Sequence, residues 1–221
     1  MSTAWQLARK RPGELRIGVF GGAFDPPHQA HIALAQAALT QLDLDVLHVV
    51  PTGQAWHKAR PLSVAAHRLN MARLAFEGLP KLFVDDREVQ RAGPTFTIDT
   101  LTALQAENAG AQLFLIMGAD QFAAFRQWHC WQAILKIAII CIAERPTSAS
   151  ATSQFDAFNE PENRFLVLPL PLMPVSATQI RQKVASSNAE LLTLDTLVPA
   201  PVARYISLHG LYRPSLSSSP K

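Results

Sequence analysis

The stretch that most constrains the fold of this chain is residues 21–31, Gly-Gly-Ala-Phe-Asp-Pro-Pro-His-Gln-Ala-His. It follows a short apolar run at residues 15–20 and precedes an Ala- and Leu-rich segment, so the order is strand, glycine turn, prolines, histidines and helix. Adjacent glycines allow a sharp turn and let a ligand approach the main chain. The helix start offers unpaired N–H groups and the positive end of a dipole, which together favour a phosphate. His28 and His31 would share one helical face at that end.

The rest of the chain alternates apolar runs with helical patterns. Strands are predicted at residues 15–20, 45–50, 82–84, 113–117, 137–142 and 165–168. Helices are predicted at residues 28–41, 63–77 (with Ser63 as N-cap), 97–108, 176–184 and 200–209, with short helices in the aromatic stretch after residue 120. Residues 85–95 are predicted to be a loop, and the Ser- and Thr-rich residues 147–163 a surface excursion.

This alternation indicates an α/β fold with a doubly wound, mostly parallel sheet of the Rossmann-like kind. In such a sheet the ligand lies beyond the carboxyl ends of the strands. We expect an N-terminal arm at residues 1–14, one domain at 15–213 and a flexible tail at 214–221.

Composition narrows the classes of function. A net charge of +3 with scattered basic residues fits a small anionic ligand, and we expect no nucleic-acid partner. Cys130 and Cys141 have neither metal-ligand spacing nor a disulfide framework, which indicates a reducing compartment. The longest apolar run, residues 137–143, is too short to cross a bilayer, and the first 14 residues lack the apolar region of a signal peptide. We therefore expect a cytoplasmic protein without a membrane partner.

The histidine turn resembles the motif of the T/HxGH nucleotidyltransferase superfamily, G-x-F-D-P-x-H-x-G-H after the first strand. Ala30 stands where the superfamily has the glycine of the histidine pair. Two incidental surface histidines are the alternative, but the match extends over the whole stretch. The residues that match are Gly22, Phe24, Asp25, Pro26, His28 and His31. The resemblance implies an ATP phosphate site made by Gly21, Gly22, Ala23, Phe24, His28 and His31.

A second stretch, residues 175–181, resembles the I-S-x-T-x-I-R segment of the same superfamily. It is also predicted to begin a helix. The hydroxyls of Ser176 and Thr178 could hold the β- and γ-phosphates of ATP, while Arg181 adds a fixed charge with several donors. A Ser-x-Thr sequence at a helix start is by itself most often a cap. Its pairing with the histidine turn favours phosphate binding.

The middle of the chain resembles bacterial nicotinate-nucleotide adenylyltransferases, and the similarity covers nearly the whole length. Residues 88–101 are similar to that family's E-x-x-R-x-G-x-S-Y-T-x-x-T-L, with Thr95 and Phe96 in place of Ser and Tyr. His57-Lys58 looks like its P-P-H-K loop, although Ala55-Trp56 replace the prolines. Further matches to its G-x-D, tryptophan and R-P positions are Gly118-Ala119-Asp120, Trp128 and Arg145-Pro146.

The resemblance implies that ATP and nicotinate mononucleotide give deamido-NAD and pyrophosphate, by direct attack of the mononucleotide phosphate on the ATP α-phosphate. The implied catalytic residues are His28, His31, Lys58 and Arg181. The implied ATP-binding set adds Gly118, Asp120, Arg145, Ser176 and Thr178. The implied mononucleotide-binding residues are Lys58, Thr95, Thr97, Asp120 and Trp128. We expect no protein-built metal site, because no carboxylate cage is apparent, and Mg²⁺ would arrive with ATP.

Several alternatives stay open at this point. Trp128 could stack on a pyridine ring or simply pack against Phe122 and Phe125, and Asp120 could accept from a ribose hydroxyl or cap a helix. The enzyme could also be another member of the superfamily, such as a phosphopantetheine adenylyltransferase or a cytidylyltransferase, although these lack the segment at residues 88–101. A non-catalytic nucleotide-binding module is the third possibility, and retention of the histidines and basic residues argues against it.

Overall fold

The computed structural model describes residues 10–54, 62–144, 164–171, 173–186 and 194–213. Six strands form one sheet: β1 Arg16–Gly22, β2 Val46–Pro51, β3 Leu82–Val84, β4 Gln112–Gly118, β5 Ala138–Glu144 and β6 Phe165–Pro169. The α-helices, numbered in chain order, are α1 Gln29–Gln41, α2 Ala65–Phe76, α3 Arg87–Gln90, α4 Thr97–Glu107, α5 Ala119–Ala123, α6 Trp131–Ile137, α7 Ala177–Ser186 and α8 Ala200–Leu208. A short 3₁₀ turn, Phe125–Gln127, lies between α5 and α6.

The strands are ordered β3-β2-β1-β4-β5-β6, and every neighbouring pair is parallel. The chain builds outwards from β1 to β3, returns to the centre with β4, and then builds in the opposite direction to β6. The strand order therefore reverses between β1 and β4, which is where doubly wound sheets bind their ligands. The predicted doubly wound parallel sheet is confirmed.

Both faces of the sheet are buried, which explains the nearly continuous apolar character of its strands. On β4, Phe114 and Ile116 join a core layer with α1, α2, α7 and α8. The intervening Leu113, Leu115 and Met117 point to the other face and pack with α4, α5 and α6. Cys141 on β5 is completely buried, as predicted for a core residue.

Three local predictions differ from the structure. The N-cap of α2 is Val64 and not Ser63, because the Ser63 main chain is held elsewhere: its N–H donates to Asp25 Oδ2 (3.2 Å) and its carbonyl accepts from Arg68 Nε (2.9 Å). The predicted loop at residues 85–95 contains α3, a single turn too short to show helical periodicity. Strand β5 begins at Ala138, since Ile137 completes α6.

Other predictions fall partly on residues that the structure does not describe. The surface excursion at residues 147–163, the tail at 214–221 and most of the N-terminal arm lie outside the described residues. Within the described ranges, no helix has the length and apolar character needed to cross a membrane.

Candidate active site

A cleft of about 850 Å³ opens beyond the carboxyl ends of β1, β2 and β4, at the point where the strand order reverses. Its size lies within the range of small-molecule sites. The predicted site residues that line this cleft are Gly21, Gly22, Ala23, Phe24, His28, His31, Thr95, Thr97, Gly118, Asp120, Trp128, Ser176, Thr178 and Arg181. Residues up to 160 positions apart in sequence thus share one cavity, because the parallel strands end at the same edge. Lys58 and Arg145 lie outside the described residues.

The glycine turn at the end of β1 is shaped by the buried Phe24 ring. A Cβ atom added at Gly22 would lie 3.0 Å from this ring, so the turn needs glycine at that position. Phe24 has a positive φ of 48°, and its ring packs edge-on against Phe20 (5.4 Å between centroids) and His31 (5.1 Å). The motif therefore carries its own small aromatic core, which fixes the entry into α1.

His28 and His31 stack on each other at the start of α1, with their ring centroids 3.7 Å apart. The His28 backbone N–H donates to His31 Nδ1 at 3.1 Å. Because Nδ1 is an acceptor in this contact, the proton of a neutral His31 imidazole resides on Nε2. Nε2 is then the ring nitrogen of His31 that can donate to an anion.

His28 is more deeply placed, with 8% of its surface exposed. Burial lowers its pKa from 6.5 to about 4, so the imidazole is neutral near pH 7. Its Nδ1 atom is buried and has no hydrogen-bond partner among the described residues. A buried polar atom without a partner is uncommon in folded proteins and is a feature of sites built for a ligand.

The expectation that the start of α1 offers unpaired N–H groups is wrong at two positions. The His28 N–H donates to the His31 side chain, and the Gln29 N–H donates to the Leu197 carbonyl at 3.0 Å. The sequence could not indicate the second contact, because Leu197 is far along the chain and precedes α8. The histidine rings and the helix dipole remain as the means by which this end of α1 can attract a phosphate.

Asp25 braces the turn from below and is 1% exposed. Its Oδ1 accepts from the Tyr212 hydroxyl at 2.7 Å and its Oδ2 from the Ser63 N–H at 3.2 Å. Its carbonyl oxygen accepts from Arg181 Nη1 at 2.8 Å. Asp25 therefore joins the histidine turn to Arg181 on α7 and to Tyr212, which follows α8.

A second brace is Arg68 on α2, whose side chain is also 1% exposed. Its guanidinium donates to three carbonyl oxygens: Ser63 (2.9 Å), Ala23 (3.1 Å) and Gly53 (3.0 Å). Burial lowers the pKa of this arginine, but an arginine stays protonated near neutrality. Arg68 thereby fixes the loops that follow β1 and β2 relative to each other.

The start of α7 contains a capping box formed by Ser176 and Gln179. The Ser176 N–H and hydroxyl donate to Gln179 Oε1 (3.0 and 3.1 Å), and the Gln179 N–H donates to Ser176 Oγ (3.3 Å). The Thr178 hydroxyl accepts from Arg181 Nη2 at 2.9 Å. Both hydroxyls are exposed, so the cap suggested by Ser-x-Thr is present in a position that still faces the cleft.

A third wall is formed by the segment before α4 and the 3₁₀ turn. Thr95 is buried and lines the cleft. Trp128 packs edge-on against Phe125, with 5.6 Å between ring centroids, and also lines the cleft, so its packing does not remove it from the cavity. Asp120 lies inside the first turn of α5, whose N-cap is Gly118, so Asp120 is not the cap.

Glu88 lies beneath this wall and is 6% exposed. It accepts from the Thr100 hydroxyl at 2.9 Å, and burial raises the pKa of its carboxyl. Its carbonyl oxygen approaches Gly53 so closely that a Cβ there would collide with it, and only glycine fits. Glu88 thus joins α3 to the loop after β2.

Sequence reasoning assigned no site role to several residues that line or brace the cleft. Asp25 and Glu88 stood inside the segments quoted for the resemblance, and the polar character of these two residues and of Arg68 beside apolar neighbours was an available indication. His129 also lines the cleft, with its ring 4.3 Å from that of Phe96. Tyr212 had no such indication, since its contact with Asp25 spans 187 positions.

Comparison with known proteins agrees with this geometry. A family model described as cytidylyltransferase-like matches residues 19–183. The "Probable nicotinate-nucleotide adenylyltransferase" of Albidiferax ferrireducens is 53% identical over 198 residues, covering 90% of this chain and 98% of that protein. A protein of the same name from Bordetella avium is 42% identical over 202 residues, covering 90% and 99%.

Solved structures show the same fold. The Plasmodium falciparum nicotinic acid mononucleotide adenylyltransferase complexed with NaAD superposes with a TM-score of 0.74 at 19% identity, covering 90% of this chain and 98% of that chain. The same enzyme complexed with APC gives a TM-score of 0.71. With family and relatives matching over most of its length, the chain belongs to the nicotinate-nucleotide adenylyltransferases of the cytidylyltransferase-like family.

Proposed function

We propose that this protein transfers the adenylyl group of ATP to nicotinate mononucleotide, forming deamido-NAD and pyrophosphate. The observation that carries the proposal is the single cleft that joins three walls: the histidine turn, the start of α7, and the wall with Thr95 and Trp128. Two walls suit phosphates and the third suits a flat aromatic ring with a polar substituent. The family of the chain supports the same reaction.

In this proposal the triphosphate of ATP lies between the starts of α1 and α7. His31 Nε2–H donates to the α-phosphate as negative charge develops on it, and Arg181 offers further N–H groups towards the departing pyrophosphate. The neutral His28 beneath contributes a donor without the cost of a buried charge. Lys58 and Arg145 are proposed to add charge along the same path.

The proposed reaction needs no nucleophile from the protein, because the mononucleotide phosphate is itself the nucleophile. A phosphate oxygen of the mononucleotide attacks the α-phosphorus of ATP, and a new P–O–P bridge forms. The bond from the α-phosphorus to the oxygen bridging to the β-phosphate breaks, and its electron pair leaves with pyrophosphate. Catalysis then consists of aligning two anions and stabilising the charge that moves to the leaving group.

The third wall is proposed to hold nicotinate mononucleotide. Trp128 offers a face for stacking with the pyridine ring, supported from behind by Phe125. The Thr95 hydroxyl, buried in the cleft wall, and the start of α4 at Thr97 are proposed as donors for the nicotinate carboxylate. Asp120, which lines the cleft, is proposed to accept from a ribose hydroxyl.

A divalent metal, Mg²⁺ in our proposal, accompanies ATP. No group of three or more His, Cys, Asp or Glu side chains suited to a metal is present in the described ranges, so the residues fit an ion carried by the phosphates and water. When bound, the ion neutralises charge on the polyphosphate. A cytoplasmic location, where ATP is available, is part of the same proposal.

The test is pyrophosphate release from ATP with different acceptors. We expect release with nicotinate mononucleotide and at least tenfold lower kcat/KM with nicotinamide mononucleotide, since the amide lacks the charge that the Thr95 wall would receive. Phosphopantetheine should support no release, and neither should replacement of ATP by CTP. Near-equal kcat/KM for the acid and the amide would overturn the acid-specific assignment, and release with phosphopantetheine alone would assign the protein to a different branch of the superfamily.

A further inference from the structure

We propose that Tyr212 is a positioning residue for adenylyl transfer, acting through Asp25 on Arg181. The inference rests on the proposed function and adds to it a residue from the C-terminal end of the chain. Tyr212 itself does not line the cleft, so its hydroxyl acts on the reaction only through the groups that it holds. The inference rests on consecutive hydrogen bonds from Tyr212 to Asp25 and from Asp25 to Arg181.

The line begins at the Tyr212 hydroxyl, which donates to Asp25 Oδ1 at 2.7 Å. The Asp25 carbonyl oxygen in turn accepts from Arg181 Nη1 at 2.8 Å. Arg181 Nη2 donates to the Thr178 hydroxyl at 2.9 Å, so the guanidinium is oriented from two sides. Two polar contacts therefore connect Tyr212, which follows α8, to the cation proposed to face the phosphates.

The backbone at Tyr212 is itself unusual. Its φ is +65°, a left-handed conformation that costs energy for a bulky side chain. Such a conformation persists only where the surrounding contacts determine it, and it is found preferentially near functional sites. Here the left-handed turn delivers the phenol to Asp25, which is 1% exposed and three residues before His28.

Removal of the hydroxyl alone would leave a buried carboxylate oxygen without this donor. A buried carboxylate that loses a hydrogen bond either shifts or draws in another donor. In both cases the Asp25 main chain moves relative to Arg181, whose alignment depends on that carbonyl oxygen. The consequence is a loss in the chemical step more than in the binding of the mononucleotide, which lies on the other wall.

The test compares Tyr212→Phe with Tyr205→Phe. Each substitution removes one phenol oxygen from a tyrosine in the C-terminal part of the chain. The Tyr205 hydroxyl, however, bonds His67 (3.0 Å) and Asn70 (3.2 Å), away from the cleft. We expect Tyr212→Phe to lower kcat about tenfold with KM for nicotinate mononucleotide unchanged, since misplacement of a positioned group costs rate. Tyr205→Phe should keep the wild-type kcat. A wild-type kcat in Tyr212→Phe would overturn the inference.

A double-mutant cycle separates positioning from a merely structural role. In an Arg181→Lys background, lysine cannot both hold the Asp25 carbonyl and face the phosphates, so Tyr212→Phe should lower kcat less than threefold. Its effect on the melting temperature should persist in that background. A tenfold loss of kcat in both backgrounds would show that Tyr212 acts independently of Arg181, and would overturn the inference.

Failure of the proposed function is distinguishable from failure of this inference. If the wild-type protein releases no pyrophosphate from ATP and nicotinate mononucleotide, the proposed function falls, and the variants are then compared by calorimetry with ATP alone. Weaker ATP binding in Tyr212→Phe, but not in Tyr205→Phe, would still support the coupling to Arg181. Equal binding in the two variants would overturn it.

Discussion

Two helix starts face the cleft, and they are built in opposite ways. At the start of α1, His28 is 8% exposed and the Gln29 N–H is bonded to the Leu197 carbonyl, so the contacts reach into the core and across the chain. At the start of α7, Ser176 and Gln179 bond each other on an exposed surface. The capping contacts of the first reach across the chain, whereas those of the second lie within its own helix, which the Arg181 side chain ties to the Asp25 carbonyl one turn further along.

From this difference we propose that the two ends serve different parts of the reaction. Donors that are already aligned before the reaction stabilise developing charge most effectively, because nothing has to reorganise. The α1 end meets that condition and suits the α-phosphate, where the bonds change. The α7 end can exchange a local partner for a ligand oxygen at small cost, and it suits the binding of the terminal phosphates.

The largest expected effect comes from removing the proposed donor of α1. His31→Ala should lower kcat about 10²- to 10³-fold, as expected for loss of one aligned donor to a transition state. Steady-state kinetics with saturating ATP and nicotinate mononucleotide measures it. A turnover within about threefold of the wild type would remove His31 from the transition state.

His31→Asn serves as the matched variant for this prediction. Its side-chain oxygen can accept from the His28 N–H in place of His31 Nδ1, but it has no group at the position of Nε2. We expect the loss of kcat to persist while most of the thermal stability returns. Recovery of kcat together with stability would mean that His31 only holds the turn.

The next largest effect is expected in the pH dependence of the free energy of unfolding, which should report the burial of His28 at the start of α1. The pKa of His28 is about 4 in the folded protein and 6.5 in the unfolded chain, so between these values the unfolded chain binds the proton and the folded protein does not. The stabilisation that comes from keeping His28 neutral is therefore fully present above pH 6.5 and is lost as the pH falls towards 4. This one group should lower the free energy of unfolding by about 2 kcal/mol between pH 7 and pH 5.

Urea unfolding at the two pH values measures this difference, and His28→Asn should reduce it by most of that amount. His129→Asn changes an exposed histidine of the same cleft and should keep the wild-type difference. If both variants behave alike, His28 is not the group responsible, and the buried, neutral character assigned to the α1 end would be wrong.

The smallest effect is expected at the α7 end. Ser176→Ala removes both the cap and the hydroxyl proposed to bind phosphate, so KM for ATP should rise about two- to fourfold and the protein should lose roughly 1 kcal/mol of stability. Gln179→Ala removes the two bonds that Gln179 Oε1 accepts but leaves the Ser176 hydroxyl and the bond that it accepts from the backbone N–H of position 179, so it should lose some stability without a rise in KM. An equal rise in KM in both variants would show that Ser176 serves only as a cap.

Those parts of this picture that depend on local pattern could be predicted from the sequence. Apolar runs of three to six residues with turns after them predicted the parallel strands, and the carboxyl-end rule then placed the histidine turn, Gly118 and the cleft together. The cap at Ser176 was also recognisable, because a capping box is written in four consecutive residues.

The contacts that brace the site could not be predicted, because each joins positions far apart in sequence. The displaced N-cap of α2 shows this: Ser63 has the right residue type, but its main chain is held by Asp25 and Arg68. The same holds for Leu197, which occupies a helix N–H that local reasoning left available, and for Tyr212, which reaches Asp25 only once α8 has packed on α2.

The proposed adenylyl transfer from ATP to nicotinate mononucleotide is tested most directly by the stoichiometry of its products. Purified protein with ATP, Mg²⁺ and nicotinate mononucleotide should form deamido-NAD and pyrophosphate in equal amounts, with neither product when ATP or the mononucleotide is omitted. Pyrophosphate formed without the acceptor, or consumption of ATP without a dinucleotide product, would contradict the account.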